Sequence, residues 1–324
     1  MFARFILLVS LLLVSTGLAA KKLYKYKDDN GNWHYTDRPP ANAEDLETRQ
    51  LVEVRQLIPA PKQRVWLKKF ADKDSSDFYV LNQYPGPIEM EVIWSSHDNV
   101  TATPDLPLRF VVEPGKSNTL FKIGIADRTR PGRFGVQHRF ILGQPLPNYL
   151  GETLYAPPIA PNSHFQITQG FGGKFSHADA QNRYAIDLNL PVDTAVFAAR
   201  GGVVLESEDD YFRNGTEPSY ASKANNIRIL HADGSMAVYA HLALEKSLVS
   251  PGATVTTGQL IGYSGNTGLT TGPHLHFAVQ INRGMELVSV PFKFADEHNQ
   301  AVEPRQGLWL TGHTAGIAYG RAKE

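Results

Sequence analysis

Tyr263-Ser264-Gly265-Asn266-Thr267-Gly268-Leu269-Thr270-Thr271-Gly272-Pro273-His274-Leu275-His276-Phe277 is a glycine-punctuated loop that runs directly into a strand. Beyond Pro273 the residues alternate. His274, His276, Ala278 and Gln280 fall on one face, and Leu275, Phe277, Val279 and Ile281 on the other. A period of two is the signature of a strand whose apolar side meets a core. Histidines at i and i+2 lie about 6–7 Å apart and point the same way. Two imidazoles on one polar face suit a metal ligand beside a proton-transfer group; taken alone, they suit an exposed strand face equally well.

Upstream, the same texture continues. Gln166-Ile167-Thr168-Gln169 runs into Gly170-Phe171-Gly172-Gly173. Tyr184 to Pro191, Thr194 to Val204, Asn226 to Leu230 and Met236 to His241 are further short apolar or alternating runs, and His231-Ala232-Asp233-Gly234-Ser235 reads as a hairpin turn exposed to solvent. Leu248-Val249 and Val255 to Gly262 complete the set. Short strands and tight turns throughout predict an all-β, barrel-like domain over 146–324, with its core at about 164–295. Pro-rich stretches, Gln144 to Pro147 and Ala156 to Pro161, precede that core.

Between Val65 and Leu142 lie alternating runs at Phe78–Leu81, Ile88–Trp94, Leu108–Val112, Phe121–Ile125 and Phe134–Phe140. This spacing predicts an immunoglobulin-like β-sandwich over 63–145. No chemistry stands out in it: His97 and His138 lack acidic or histidine companions at ligand spacing. Its surface is available to bind envelope proteins, to occlude the next domain or to act as a spacer.

At the start of the chain, Met1 to Ala20 reads as a secretory signal: Arg4, the apolar run Phe5 to Val14, then small residues up to Ala20. The run is shorter than the roughly 20 residues a membrane span needs, so export and cleavage near Ala20 are expected. Next, Leu23-Tyr24-Lys25-Tyr26-Lys27 and Asn32-Trp33-His34-Tyr35-Thr36 alternate on either side of Asp28-Asp29-Asn30-Gly31, a hairpin signal. This unit, 21–62 with its linker, resembles a small envelope-associated domain of unknown function.

Composition narrows the chemistry. Thirty-two basic and 32 acidic residues give zero formal net charge, so no global field draws in nucleic acid. The chain has no cysteine. That excludes disulfides, a cysteine nucleophile and thiolate ligands, and leaves any transition metal to His and carboxylate.

One ordered set of motifs is specific. Gly-Phe-Gly, His177, Tyr-Ala-Ile-Asp187, Tyr-Ala-His241-Leu, Gly-Asn-Thr-Gly and Gly-Pro-His274-Leu-His276-Phe follow one another in sequence. From about Gly170 to Phe277 the chain resembles the lysostaphin/LytM-type zinc metallopeptidases, which cut peptide cross-links of bacterial cell wall. The resemblance implies an exported endopeptidase acting on peptidoglycan stem peptides in the periplasm or envelope. It implies one zinc ion held by His177, Asp187 and His276, with His241 and His274 as the catalytic pair around a zinc-activated water. Two imidazoles and a carboxylate leave a fourth tetrahedral position open, as catalytic zinc requires. His241, two residues after Tyr239, is expected on the same strand face.

The chain departs from the family pattern where Ala178 to Ile186 separate His177 from Asp187, nine residues where many relatives have three. The insertion must loop out, and Asp179 within it is a rival ligand, as His164 is to His177. The polar segment Asp209 to Ala224 is a candidate wall of the substrate groove. The competing reading is a catalytically inactive envelope regulator of the same fold. Such relatives typically lose one of the five site residues, and this chain keeps all five. A lipoyl- or biotin-type carrier has a similar strand pattern but needs a lysine in an exposed hairpin, which is missing here. Direct stem-peptide cross-links are the expected target rather than glycine bridges.

Overall fold

A computed structural model describes residues 64–71, 75–149, 151 and 153–313, together with the backbone strands Leu23–Lys27, Trp33–Thr36 and Leu51–Val52. The expected signal segment lies outside the described residues. Apart from one 3-10 turn, Pro218–Tyr220, the described elements are strands, so the protein is all-β as expected. No helix among them is long and apolar enough to cross a membrane.

The first two strands pair antiparallel, with Lys27 opposite Trp33 and Tyr24 opposite Thr36. That register brackets the Asp-Asp-Asn-Gly segment. Leu51–Val52 adds to the other edge of Leu23–Lys27.

The alternating runs between Val65 and Leu142 form two sheets over one core. The first is ordered Val65–Ala71, Ser75–Asn82, Phe121–Ile125, Val100–Thr103, and the second Arg133–Leu142, Ile88–Asp98, Leu108–Val112. Alternation sets what faces inward: Phe78 and Val80 from one sheet meet Ile88, Met90 and Val92 from the other. Phe78 stacks on Phe121 with centroids 4.5 Å apart. Leu205 and Met236 of the following unit join this core. The buried Glu89 carboxylate there accepts from Asn282 Nδ2 at 2.8 Å and Met285 N at 2.6 Å.

The C-terminal sheet is ordered Thr254–Val255, Gly202–Glu208, Asn226–Leu230, Met236–Ala240, Leu275–Asn282, Ala185–Leu188, His164–Gln169, Trp309–Thr311. Leu275, Phe277, Val279 and Ile281 point into a core with Ile167, Ile186, Leu188, Val204, Ile227, Ile229 and Tyr239. Each such side chain contributes about 1.5–3 kcal/mol by leaving water. Tyr239 anchors a neighbouring loop from within this core, where its hydroxyl oxygen accepts the Ala199 N–H at 2.7 Å. Leu248-Val249 forms no strand; Leu248 makes one backbone hydrogen bond, to Ile261 O.

The central strand differs from its reading in one respect: every residue of Leu275–Asn282 is buried, including His276, Ala278 and Gln280 on the polar face. The insertion after His177 packs across that face. Gln280 Nε2 donates to Gln181 O at 2.8 Å, and the Ser289 N–H donates to Ala180 O at 2.7 Å.

Candidate metal centre and active site

Sheet register creates the first pair of the site. Asp187 and His276 are direct partners on adjacent antiparallel strands, so both side chains stand on the face away from the apolar core. His276 Nδ1 lies 3.0 Å from Asp187 Oδ1. A register shift between Ile167 and Gln169 brings Gln169 opposite Asp187, and Gln169 Nε2 donates to Asp187 Oδ2 at 3.1 Å. A bulge of this kind re-aims a side chain that strict alternation would send elsewhere.

His177 arrives from the loop after Gly170-Phe171-Gly172-Gly173. Gly172 has φ +68°, a conformation that suits glycine, and the turn closes with His177 N donating to Gly173 O at 3.0 Å. His177 Nδ1–H then donates to Gly170 O at 2.9 Å, which aims Nε2 at Asp187 Oδ1, 3.2 Å away, and at His276 Nδ1, 3.4 Å away. The ligand atoms of His177, Asp187 and His276 all lie within 4.8 Å of one another, and all three residues are buried.

The hydrogen bonds on the far side of each ring test whether this set fits a metal. Gly170 O and Asn182 Oδ1 can only accept. With an ion among the three groups, His177 would therefore carry its proton on Nδ1, and His276 its own on Nε2, 3.1 Å from Asn182 Oδ1. Two imidazole lone pairs and a carboxylate are thus turned toward one another at 3.0–3.4 Å. Such a cluster is repulsive without a positive charge at its centre. Two nitrogens, one oxygen and an oxygen acceptor behind each ring are what zinc takes. Without an ion, protons would take its place between the three groups. Burial opposes charge on Asp187, but hydrogen bonds from His177 and His276 and the charges of His276 and His274 hold its carboxyl far below the ordinary range. Burial likewise opposes the His177 cation, yet the bond to Asp187 and its charge raise that imidazole's pKa.

His274 and His241 stand beside this cluster. His274 Nδ1–H donates to Gly272 O at 2.8 Å, and its Nε2 lies 3.7 Å from Asp187 Oδ1. His241 donates from Nδ1 to Thr267 O at 2.6 Å. The two rings have centroids 4.5 Å apart, and His241 is 5.9 Å from His276. Burial, followed by the charges of His274 and His276, pushes the His241 imidazole down to about 3. Burial also lowers His274, against the pull of Asp187. Both rings are therefore neutral near pH 7, with the proton on Nδ1 and a lone pair on Nε2.

His241 does not share the face of Tyr239. The strand ends at Ala240, and His241 takes φ +62°. That left-handed step sends its ring toward His274 and His276 while Tyr239 stays in the core. His231 is a second correction: instead of facing solvent it is 3% exposed. Its Nδ1–H donates to Gly201 O at 2.8 Å, Nε2 has no partner among the described residues, and burial pushes its pKa down to about 4.

The rivals lie elsewhere. Exposed His164 meets Thr311 Oγ1 at 3.0 Å. Asp179 stands outside the cluster and accepts from Gln181 N at 2.8 Å and from Asn182. The cleft over the cluster runs between Thr168, Gln169, Phe175 and Ser176 on one side and Leu269 and Thr271 to His274 on the other. Residues 209–224 do not line it. Instead Asn214–Gly215 pairs in parallel with Gly268–Leu269, of which Leu269 lines the cleft. Gln169, Asn182 and Thr267 all orient site residues and were not singled out from the sequence. Only Gln169 and Thr267 fall within quoted motifs, and nothing about their residue types marks them as functional.

Residues 181–287 match the model of Peptidase family M23. The segment belongs to that family. Asp187, His241, His274 and His276 lie within it, whereas His177 lies upstream, on the far side of the insertion. Residues 10–63 match a domain of unknown function, DUF4124, in line with the N-terminal resemblance. The M23 segment is similar to the peptidoglycan DD-endopeptidase ShyA of Vibrio cholerae, 40% identical over 91 residues, covering 28% of this chain and 18% of that protein. An uncharacterized metalloprotease of Haemophilus influenzae is 27% identical over 239 residues, covering 73% of this chain and 42% of the relative. The chain thus spans less than half the length of these curated relatives. Among solved structures, the catalytic domain of lysostaphin from Staphylococcus simulans aligns over 43% of this chain and 88% of its own, at 26% identity and a TM-score of 0.26.

Proposed function

We propose that this protein is an exported, zinc-dependent endopeptidase that hydrolyses peptide cross-links of bacterial peptidoglycan. The observation that carries the reading is the convergence of three lone-pair ligands, His177 Nε2, Asp187 Oδ1 and His276 Nδ1, beneath a cleft and beside two neutral imidazoles. His177, Asp187 and His276 would hold the ion, and zinc bound there would polarise an amide carbonyl and make water a stronger nucleophile near neutral pH. Membership of the M23 segment in a peptidase family and its similarity to a named DD-endopeptidase support the reaction class. The direct D-amino-acid cross-link is the proposed target, and the Met1–Ala20 segment is the proposed export signal, placing the enzyme in the envelope.

The chain's own residues supply the proton chemistry. His274 and His241 are each locked by Nδ1–H on a backbone carbonyl, which leaves Nε2 to take a proton from the attacking water and return it to the leaving amine. A group that moves a proton in this way contributes roughly 10²–10⁴-fold to rate. Gln169 holds the second oxygen of Asp187, which keeps that carboxylate from turning. Phe175, Leu269 and Pro273 give the cleft apolar walls for a substrate side chain.

Digestion of purified murein, read by mass spectrometry of the muropeptides, tests the proposal. Zinc-loaded protein is expected to convert cross-linked dimers to monomers. EDTA should stop the reaction, and His241→Ala or His274→Ala should slow it by roughly 10²–10⁴-fold. No release by zinc-loaded wild-type protein would refute the enzyme and favour a regulator that binds the wall.

A further inference from the structure

The insertion between His177 and Asp187 does more than loop out of the way. It turns back over the polar face of the central strand and is fixed there at several points. Ala180 O accepts from both Ser289 N and Ser289 Oγ, Gln181 O accepts from Gln280 Nε2, and Tyr184 N donates to Ser289 Oγ at 2.9 Å. Gln280 is itself held by Arg228 Nη1 at 2.6 Å. A loop pinned in this way holds Asn182 in one place against His276.

The hydrogen bonds through Asn182 run in one direction. Asp179 is a carboxylate and only accepts. It receives Asn182 Nδ2 at 3.1 Å on Oδ1 and at 2.9 Å on Oδ2, and its Oδ1 also receives the backbone N–H of Gln181 and of Asn182. The amide nitrogen of Asn182 must therefore face Asp179, and the amide oxygen must face His276 Nε2 at 3.1 Å. An oxygen there holds a proton on Nε2, so that Nδ1, the atom turned toward Asp187 Oδ1 and His177 Nε2, can give its lone pair to an ion; Asp187 Oδ1, also an acceptor, competes for that proton when no ion is bound. With the amide reversed, the same side chain would place an N–H against Nε2 and drive the proton to Nδ1, where it would block the ligand position.

We infer that Asp179 and Asn182 are positioning residues that set the tautomer of His276, so that the insertion keeps the metal centre ready to bind. Asp179, a rival ligand by sequence, thus serves the ion two hydrogen bonds away from it. The inference rests on the proposed zinc site but not on peptidase activity. It assigns a role to residues specific to this chain's long His177–Asp187 spacing. Groups behind a ligand histidine typically account for 10–100-fold in metal affinity.

The test has two readouts that need no turnover: imidazole ¹⁵N shifts of the metal-free, ¹⁵N-histidine-labelled full chain above pH 7, and zinc affinity by chelator competition. Wild type is expected to show His276 protonated at Nε2, against the pull of Asp187 Oδ1 on Nδ1. Asn182→Ala should move it toward Nδ1–H and weaken zinc roughly 10–100-fold. Asn182→Asp, whose oxygens all accept, should keep Nε2–H and bind zinc within a few-fold of wild type. Asp179→Ala frees the amide to reverse and should give a mixed tautomer with weaker binding. Adding Asn182→Asp to Asp179→Ala should restore both readouts, which mere loosening of the loop would not allow. A wild-type Nδ1–H tautomer, an unchanged tautomer in Asn182→Ala, or no restoration in the double variant would each overturn the inference. Loss of murein hydrolysis with these results intact would count against the peptidase reading alone.

Discussion

Gly265 separates the two arms that carry His241 and His274. Ser264 bridges to Leu242, the residue after His241, and Gly265 bridges to His274 itself. A Cβ placed on Gly265 would lie 2.5 Å from Ala243 N, 2.6 Å from Ala243 Cα and 2.6 Å from Leu242 C, all backbone atoms. No side chain can rotate away to make room. To reach ordinary contact at 3.4 Å, the 242–243 segment must recede by on the order of 1 Å, taking His241 with it; a shift of that size at a reacting group costs about 10²-fold in rate. Overpacking of this kind costs about 1–3 kcal/mol. At about 2–4 °C per kcal/mol for a unit of 150–250 residues, Tm should fall by roughly 2–12 °C. His177, Asp187 and His276 are held by other contacts, so the zinc should remain. Gly272→Ala is the control, because its Cβ meets nothing within 4 Å. Differential scanning calorimetry, metal content and muropeptide turnover of both variants check the argument. Equal Tm and equal turnover for Gly265→Ala and Gly272→Ala would refute it.

Two further predictions concern stability. Tyr239→Phe strands the buried Ala199 N–H and should cost about 1–3 kcal/mol in urea unfolding at unchanged zinc content; an unchanged midpoint would mean that the loop finds another acceptor. His231 is buried with its pKa depressed from 6.5 to about 4, so between those values the unfolded chain takes up the proton first. Stability is therefore full above pH 6.5 and falls as pH drops toward 4, by up to about 3 kcal/mol. His231→Gln should flatten that difference between pH 7 and pH 4.5, and a loss identical to wild type would assign the acid sensitivity to other groups.

The all-β architecture was legible because alternation is a local property: the runs at Phe78, Ile88, Phe121 and Leu275 each became strands with the expected inward faces. The five candidate site residues were picked out through their order in a motif, and the structure brings their side chains near one another. Features fixed by tertiary packing or by single dihedral angles were not legible. The φ of His241 overrides the strand period that would place it with Tyr239. His231 lies in a turn whose sequence reads as exposed, yet Tyr155 and Gly201 cover it. Asn182 carries no signal as a residue type. Its role comes from an amide whose two ends meet Asp179 and His276, 94 residues apart in sequence from the latter. The burial of the polar face of the central strand follows from that same loop folding back over it.

The central claim is that His177, Asp187 and His276 hold one zinc ion while His241 and His274 act beside it without holding it. Elemental analysis of zinc per chain in the five alanine variants tests this most directly. The account predicts one zinc in wild type, His241→Ala and His274→Ala, and none retained through gel filtration in His177→Ala, Asp187→Ala and His276→Ala. Full zinc in any of the last three, or its loss from either of the other two, would contradict it.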